Sequence, residues 1–332
     1  MEDTKIIHRK IQRTGGSTYI ISLPKWWIEK HGLRDGDFLA LNVEENLITI
    51  YIEGDKFDER AIIKANDIDP KLLERLIISH YLAGYDIIRI EAEPLNENLR
   101  TLIKRLMMKK MIGFEVIDED VNSIEMRSLV RERELSLDIA LTRMFKLGKI
   151  LVSTLPETFI SLNEANAKFI IQSDDDMDRL YLYTLRMIRK TKSGKVDTNW
   201  IIITSMMAKA LERIVDHTAR IAYTIMEMGD IKGLYLRERI YALLHITSEI
   251  FTSVYHAYIK KDLKLANEII SRVKEAAKKY DNISHDLRKV ETLTMENIIH
   301  LNTILDSGKR ICEYSADIGE MIIDLNTALT PL

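Results

Sequence analysis

The sequence predicts a multidomain chain that is β-rich at its start, α/β in its middle and all-α in its second half. Three observations carry this. Residues 18–23 and 47–52 are β-branched and aromatic runs bounded by turn residues. Residues 58–130 alternate strand-like and helix-like patterns. Residues 157–330 contain no proline and only five glycines, which favours long helices.

In the middle segment, 60–64 and 85–90 read as strands. Residues 70–83 and 96–111 have helical periodicity, with Leu72, Leu73, Leu76 and Ile77 on one face and Leu99, Leu102, Ile103 and Leu106 on the other helix. Residues 114–117 and 123–126 read as a hairpin. The resulting β-α-β-α-β-β order predicts a small α/β domain over 58–130 with a structural or ligand-sensing role. No glycine-rich phosphate loop occurs in the chain.

The helical half carries an internal repeat. Met207, Leu211, Ile214, Thr218, Ile221, Ile225 and Met228 form a seam with steps of four and three. Ile304, Gly308, Ile311, Ser315, Ile318, Ile322 and Leu325 repeat it at a constant offset of 97. Two bundles of about 100 residues, built by duplication, explain the offset.

Composition bounds the function. The 332 residues carry a net charge of -3, so any attraction to nucleic acid must come from a local patch. Such a patch lies at the start: residues 1–34 hold seven Lys or Arg against three acids, and residues 35–54 hold five acids and no Lys or Arg. Arg9, Lys10 and Arg13 precede the loop 14–17, Thr-Gly-Gly-Ser, which lets backbone amides approach phosphates. A single cysteine, Cys312, excludes a disulfide framework and a Cys-type zinc site; it reads as a small core residue. No apolar run spans a bilayer and residues 1–5 lack a signal-peptide core, so a cytoplasmic protein without membrane insertion is expected.

Acidic pairs mark a candidate site. Glu212 and Asp216 flank the first seam four residues apart. Asp174 and Asp178 have the same spacing beside the seam Ile170, Ser173, Met177 and Leu180. If the two helices face each other, four carboxylates converge, and such a cluster wants a cation. If they do not, these acids lie on a solvated face. No HExxH pair or nucleophile elbow accompanies them, so an enzyme is not expected, and a metal-dependent hydrolase is the weakest reading. His217, beside Asp216, reads as a packing histidine or as a group supporting a metal ligand.

Two stretches resemble known families. Residues 16–25, the short helix through Trp26 to His31, and the later run 33–37 resemble the SpoVT/AbrB module over about 50 residues. That resemblance implies a swapped-hairpin β-barrel homodimer over 1–54, with Arg9, Lys10, Arg13 and Lys25 facing DNA. Residues 211–222, Leu-Glu-Arg-Ile-Val-Asp-His-Thr-Ala-Arg-Ile-Ala, resemble the signature helix of PhoU proteins, the phosphate-uptake regulators. The chain departs from that signature at Val215, usually glycine, and at Arg220, often asparagine. The resemblance implies duplicated three-helix bundles, here 131–232 and 233–328, with metal ligands Asp174, Asp178, Glu212 and Asp216. The ion implied is iron, manganese or zinc.

In the second repeat Lys309 replaces Glu212 and Glu313 stands for Asp216, while Asp281 and His285 stand where the first acid pair would be. Asp317 lies one turn beyond Glu313. Either the lysine takes the cation's place or these residues form a second, mixed-ligand metal site. The two resemblances in one chain imply a phosphate-responsive transcriptional regulator that senses phosphate status or a transporter or sensor partner. The alternative is an adaptor for a phosphate transporter, in which the barrel only dimerises.

Overall fold

A computed structural model describes residues 7–16, 18–43, 48–52, 59–130, 134–191, 197–228, 236–290 and 293–327. The chain divides into two compact units, Met1–Phe57 and Asp58–Leu332.

In the first unit, β1 (Gln12–Thr14) and β2 (Thr18–Ile20) form an antiparallel hairpin with Gln12 opposite Ile20. The short helix α1 (Lys25–Lys30) starts directly after Pro24. β3 (Leu39–Val43) and β4 (Ile48–Ile52) form a second antiparallel hairpin. The hairpins are separate two-stranded sheets, so the described residues form no closed barrel within one chain. Among residues 7–16, 18–41, 43, 48 and 50 of this unit none is buried, and Phe38, Val43 and Tyr19 are 86%, 68% and 65% exposed. Isolated two-stranded hairpins of this kind are marginal in water. Of the charges read from the sequence, Glu2, Asp3, Lys5, Glu44, Glu45 and Glu53 lie outside the described residues, as does Ser17 of the expected loop.

The second unit opens with the α/β domain. Its elements are β5 (Arg60–Lys64), α2 (Pro70–Ala83), β6 (Ile87–Glu91), α3 (Glu97–Lys110), β7 (Phe114–Glu119) and β8 (Ser123–Ser128). The sheet order is β5-β6-β8-β7, with β5 parallel to β6 and the other pairs antiparallel. β5 alternates exposed and buried residues, placing Ala61 and Ile63 inward. Asp69 accepts from the Lys71 and Leu72 amides and Pro70 sets the first turn, so α2 starts where the sequence dictates. Leu73, Ile77 and Tyr81 recur every four residues and form its buried face. The helix stops at Gly84, whose φ of 102° suits a residue without a Cβ.

Six long helices follow: α4 (Leu137–Ser161), α5 (Glu164–Lys190), α6 (Thr198–Glu227), α7 (Leu236–Lys260), α8 (Leu263–Leu287) and α9 (Met295–Thr327). Pro156 marks no boundary; it lies inside α4, which runs one more turn past it. All seven residues of the first seam are buried. So are those of the second, except the half-buried Leu325. Each repeat is a three-helix unit, and equivalent helices pack together, α6 on α9 and α4 on α7. One core runs through all six helices. Gly308 leaves space for the buried Tyr280 ring, whose hydroxyl a Cβ there would strike. Cys312 is buried with Sγ 3.3 Å from Thr247 Oγ1, and burial pushes its thiol up to about 12, which keeps it protonated and inert.

The α/β domain docks onto α5 through α2 and α3. Arg186 of α5 is 2% exposed at this junction. Its Nη1 donates to the Tyr81 carbonyl at 2.7 Å and its Nη2 to Asp86 Oδ1 at 3.0 Å. The guanidinium lies 5.0 Å from the ring centres of both Tyr81 and Phe114. Lys190 also pairs with Asp86. Removing one member of a buried ion pair leaves the other charge uncompensated, although Lys190 softens this here. Arg186→Ala is expected to cost about 2–4 kcal/mol of unfolding free energy. Urea denaturation measures the loss, and amide exchange should place it at 81–114. Arg186→Lys, with no planar fork to reach two acceptors, should recover less than half.

Candidate functional site

The apolar seams of α5 and α6 face the same core, so the acids one or two positions off each seam meet in the groove between these helices. One carboxylate oxygen from each of Asp178, Glu212 and Asp216 lies within 4.8 Å of the others. Glu212 is 8% exposed; Asp178 and Asp216 are half-buried. Asp174, one turn back on α5, has a buried Oδ1 with no hydrogen-bond partner. Burial, then the charges of Asp178, Asp216 and Glu212, push its carboxyl up to about 6. Burial also raises Glu212 and Asp216, against the opposing pull of Lys209 and Arg213. The first acid pair therefore faces the second, and the solvated-face alternative does not hold for these residues.

Cations from three directions answer this negative charge. Lys209 Nζ lies 2.7 Å from the Glu212 carboxylate and 4.9 Å from the Tyr181 ring centre. Arg213 reaches Asp216 at 3.3 Å. The third direction is the α/β domain: Lys110, at the end of α3, pairs with Asp178, and Lys109 lies 3.4 Å from Asp175. Lys209 and Arg213 are local i,i+3 partners and were legible as such. Lys109 and Lys110 come from another domain 66 and 68 residues away, and no local pattern announces them.

The second set is not gathered in this way. Among the described residues only Asp178, Glu212 and Asp216 form a group of metal-ligating atoms. Lys309 Nζ lies 2.7 Å from Asp281 Oδ1, and Arg310 pairs with Glu313 at 3.0 Å. His285 and Asp317 are exposed. Of the two alternatives for this repeat, the geometry favours the lysine in the cation's place. His217 lies against α9, with its ring centre 6.0 Å from that of Tyr314. Burial and then Arg220 lower its pKa, holding it neutral. It therefore packs between helices as a neutral ring.

In the first unit, Arg9, Lys10, Arg13 and Lys25 are all exposed. Arg13 donates to the Gly16 carbonyl across the β1–β2 turn, and Lys25 lies 3.6 Å from Glu29 on α1. Ion pairs this exposed hold a side chain weakly, so Lys25 stays available to an anion.

The Asp174 shift has a measurable consequence. A carboxyl raised above its unfolded value favours the protonated folded state. That contribution is complete below about pH 4 and is lost as pH rises through about 6. In chelator-treated protein, Asp174→Asn should therefore raise stability at pH 7.5 by roughly 1–2 kcal/mol after allowing for solvent screening, and change it little at pH 4. Denaturation curves at the two pH values check this; an equal effect at both would mean that Asp174 carries no raised pKa.

Comparison with known proteins identifies the fold of both parts of the chain. A family model described as "PhoU domain" matches residues 141–225 and 240–322. A second, described as "Antidote-toxin recognition MazE, bacterial antitoxin", matches residues 12–56. No curated protein gives a match. Among solved structures, the phosphate transport system regulatory protein PhoU from Streptococcus pneumoniae is 18% identical with a TM-score of 0.52, covering 60% of this chain and 99% of that one. PhoU from Pseudomonas aeruginosa is also 18% identical with a TM-score of 0.52, covering 60% of this chain and all of that one. Two PhoU repeats covering half the chain, each a three-helix unit built on a buried seam, show that this protein belongs to the PhoU family and carries a MazE/AbrB-type module ahead of the repeats.

Proposed function

We propose that the protein is a phosphate-responsive transcriptional regulator. Residues 1–54 form the DNA-binding and dimerisation module and residues 58–130 an α/β domain. Residues 131–232 and 233–328 form a PhoU bundle that senses phosphate status or a transporter or sensor partner. The observation that carries the reading is the joining, in one chain, of an exposed basic MazE-type hairpin module to a PhoU pair with an inter-helical carboxylate cluster. The PhoU pair fits a regulator better than an enzyme.

Dimerisation is supported by the first unit itself. Tyr19, Phe38, Leu41, Val43 and Ile48 are exposed large apolar side chains within it. Pairing two such modules covers that apolar surface and the hairpin edges. Light scattering should find a dimer at micromolar concentration, and a chain truncated near residue 58 should lose it. A full-length monomer would sink this part of the reading.

DNA contact is assigned to Arg9, Lys10, Arg13 and Lys25. Each phosphate-contacting cation contributes about 0.9 to the log-log salt slope. Arg9→Ala or Arg13→Ala should lower the slope by roughly 1 per site, and by about twice that in a symmetric dimer. Mapping the protein along its own chromosome should show enrichment near phosphate-transport genes. If Arg9→Ala, Arg13→Ala and Lys25→Ala together leave affinity and slope unchanged, the module only dimerises, and the protein is a transporter adaptor.

The carboxylate cluster fits a metal ion. Its donors are all oxygen, they converge from two helices, and Asp174 Oδ1 is a buried acceptor without a partner. An oxygen-only set suits manganese or iron and accepts zinc. Asp178, Glu212 and Asp216 would hold the ion, with Asp174 beside them, and the ion would supply the positive charge that Lys110 and Lys209 now supply. Elemental analysis should find metal in the wild type and little in Glu212→Ala, Asp216→Ala. Lys110→Ala, which removes a competing cation, should tighten binding roughly two- to fivefold, equivalent to an exposed ion pair of about 0.5–1 kcal/mol. Equal metal content in wild type and the double variant places the ion elsewhere.

A further inference from the structure

A cleft of about 480 Å³ lies on the side of α5 opposite the carboxylate cluster, between α5 and α4. Its volume is in the range of small-molecule sites and exceeds what a bare inorganic anion needs. On α4, Arg143, Lys146, Leu147 and Ile150 recur at spacings of three, one and three, so one helical face supplies them all. On α5, Asp176, Arg179 and Leu180 do the same. The turn that follows α3 contributes Ile112, so the α/β domain forms one wall.

The charge in this cleft is unbalanced. Three cations face one carboxylate, a surplus of two positive charges. Among the described residues Arg143, Lys146 and Arg179 form no hydrogen bond or ion pair, although Asp176 lines the same cleft. Arg179 Nε is buried without an acceptor. A buried donor left unpaired costs about 1–3 kcal/mol, and a guanidinium fork is suited to phosphate oxygens. A phosphate monoester carries about -1.5 to -2 at neutral pH, which matches the surplus. The remaining walls, Ile112, Leu147, Ile150 and Leu180, are apolar and offer a surface to an organic substituent.

We infer that this cleft binds a small molecule bearing a phosphate dianion. Arg143, Lys146 and Arg179 take the phosphate oxygens, and the apolar walls hold whatever the phosphate is attached to. Because Ile112 belongs to the α/β domain, the ligand bridges that domain to the bundle. The site is distinct from the carboxylate cluster and does not depend on DNA binding or on a transporter.

Isothermal titration of the full-length protein with AMP and, separately, with inorganic phosphate tests the inference. AMP should bind saturably and raise the melting temperature. Arg143→Ala, Lys146→Ala, at two exposed positions, should weaken binding at least tenfold while the unliganded melting temperature stays unchanged. Arg179→Gln should weaken it as well. AMP binding more tightly than phosphate identifies an organic phosphate as the ligand class; equal affinities, both lost in the double variant, identify free phosphate. Absence of saturable binding by either at millimolar concentration, or equal affinity in wild type and double variant, overturns the inference. Either failure leaves the regulator reading intact, since that reading is judged by chromosome occupancy.

Discussion

Burial of the apolar seams on α5 and α6 is the constraint on which the helical half depends. Ile170, Ser173, Met177 and Leu180 on one helix, and Met207, Leu211, Ile214 and Thr218 on the other, must leave water together. Once they do, each helix has no rotational freedom left. Asp178, Glu212 and Asp216, which flank the seams, are carried into one groove by this requirement and against their mutual repulsion. The hydrophobic gain of a full seam, at about 1.5–3 kcal/mol per large side chain, far exceeds the cost of crowding three half-screened carboxylates. The cluster is thus a charged feature stabilised by apolar packing elsewhere.

The same helix α5 also anchors the α/β domain. Arg186 and Lys190 near its C-terminus hold Asp86, while Asp175 and Asp178 in its middle hold Lys109 and Lys110. The polarity of these contacts is reversed between the two places: helix cations meet a domain acid near the C-terminus, and helix acids meet domain cations in the middle. This complementarity fixes the docking register. It also makes the domain electrostatically aware of the carboxylate groove, since Lys110 belongs to the domain and its partner Asp178 belongs to the cluster. On the opposite face of α5, Ile112 of the same turn closes the basic cleft. One short segment at the end of α3, Lys110 with Ile112 in the turn that follows, therefore touches both charged features of the bundle.

Duplication has left the two repeats unequal in a physically readable way. Glu212 and Asp216 correspond to Lys309 and Glu313, and that single reversal of charge removes the demand for a cation. Lys309 now pairs with Asp281. The seams stayed apolar in both repeats because they share one core, whereas the groove residues were free to diverge. Gly308 in place of Leu211 follows from packing, because the Tyr280 ring occupies the space a larger residue would need.

Much of this was determined by the sequence alone. The order of elements in the α/β domain, the two seams, the 97-residue repeat and the pairing of acids at i,i+4 are all local periodicities, and local periodicity is what a chain carries in one dimension. The i,i+4 spacing of the four acids in the first repeat was legible for that reason. The tertiary structure decided what periodicity does not encode. It decided which faces meet, so that the second repeat's Asp281, His285, Glu313 and Asp317 form no cluster and His217 turns toward α9. It decided that Lys109 and Lys110 answer the acids from another domain, and that Arg143, Lys146 and Arg179 share a cleft. These are contacts between segments far apart in the chain, set by how helices rotate to bury their seams, and no spacing within a single helix specifies them.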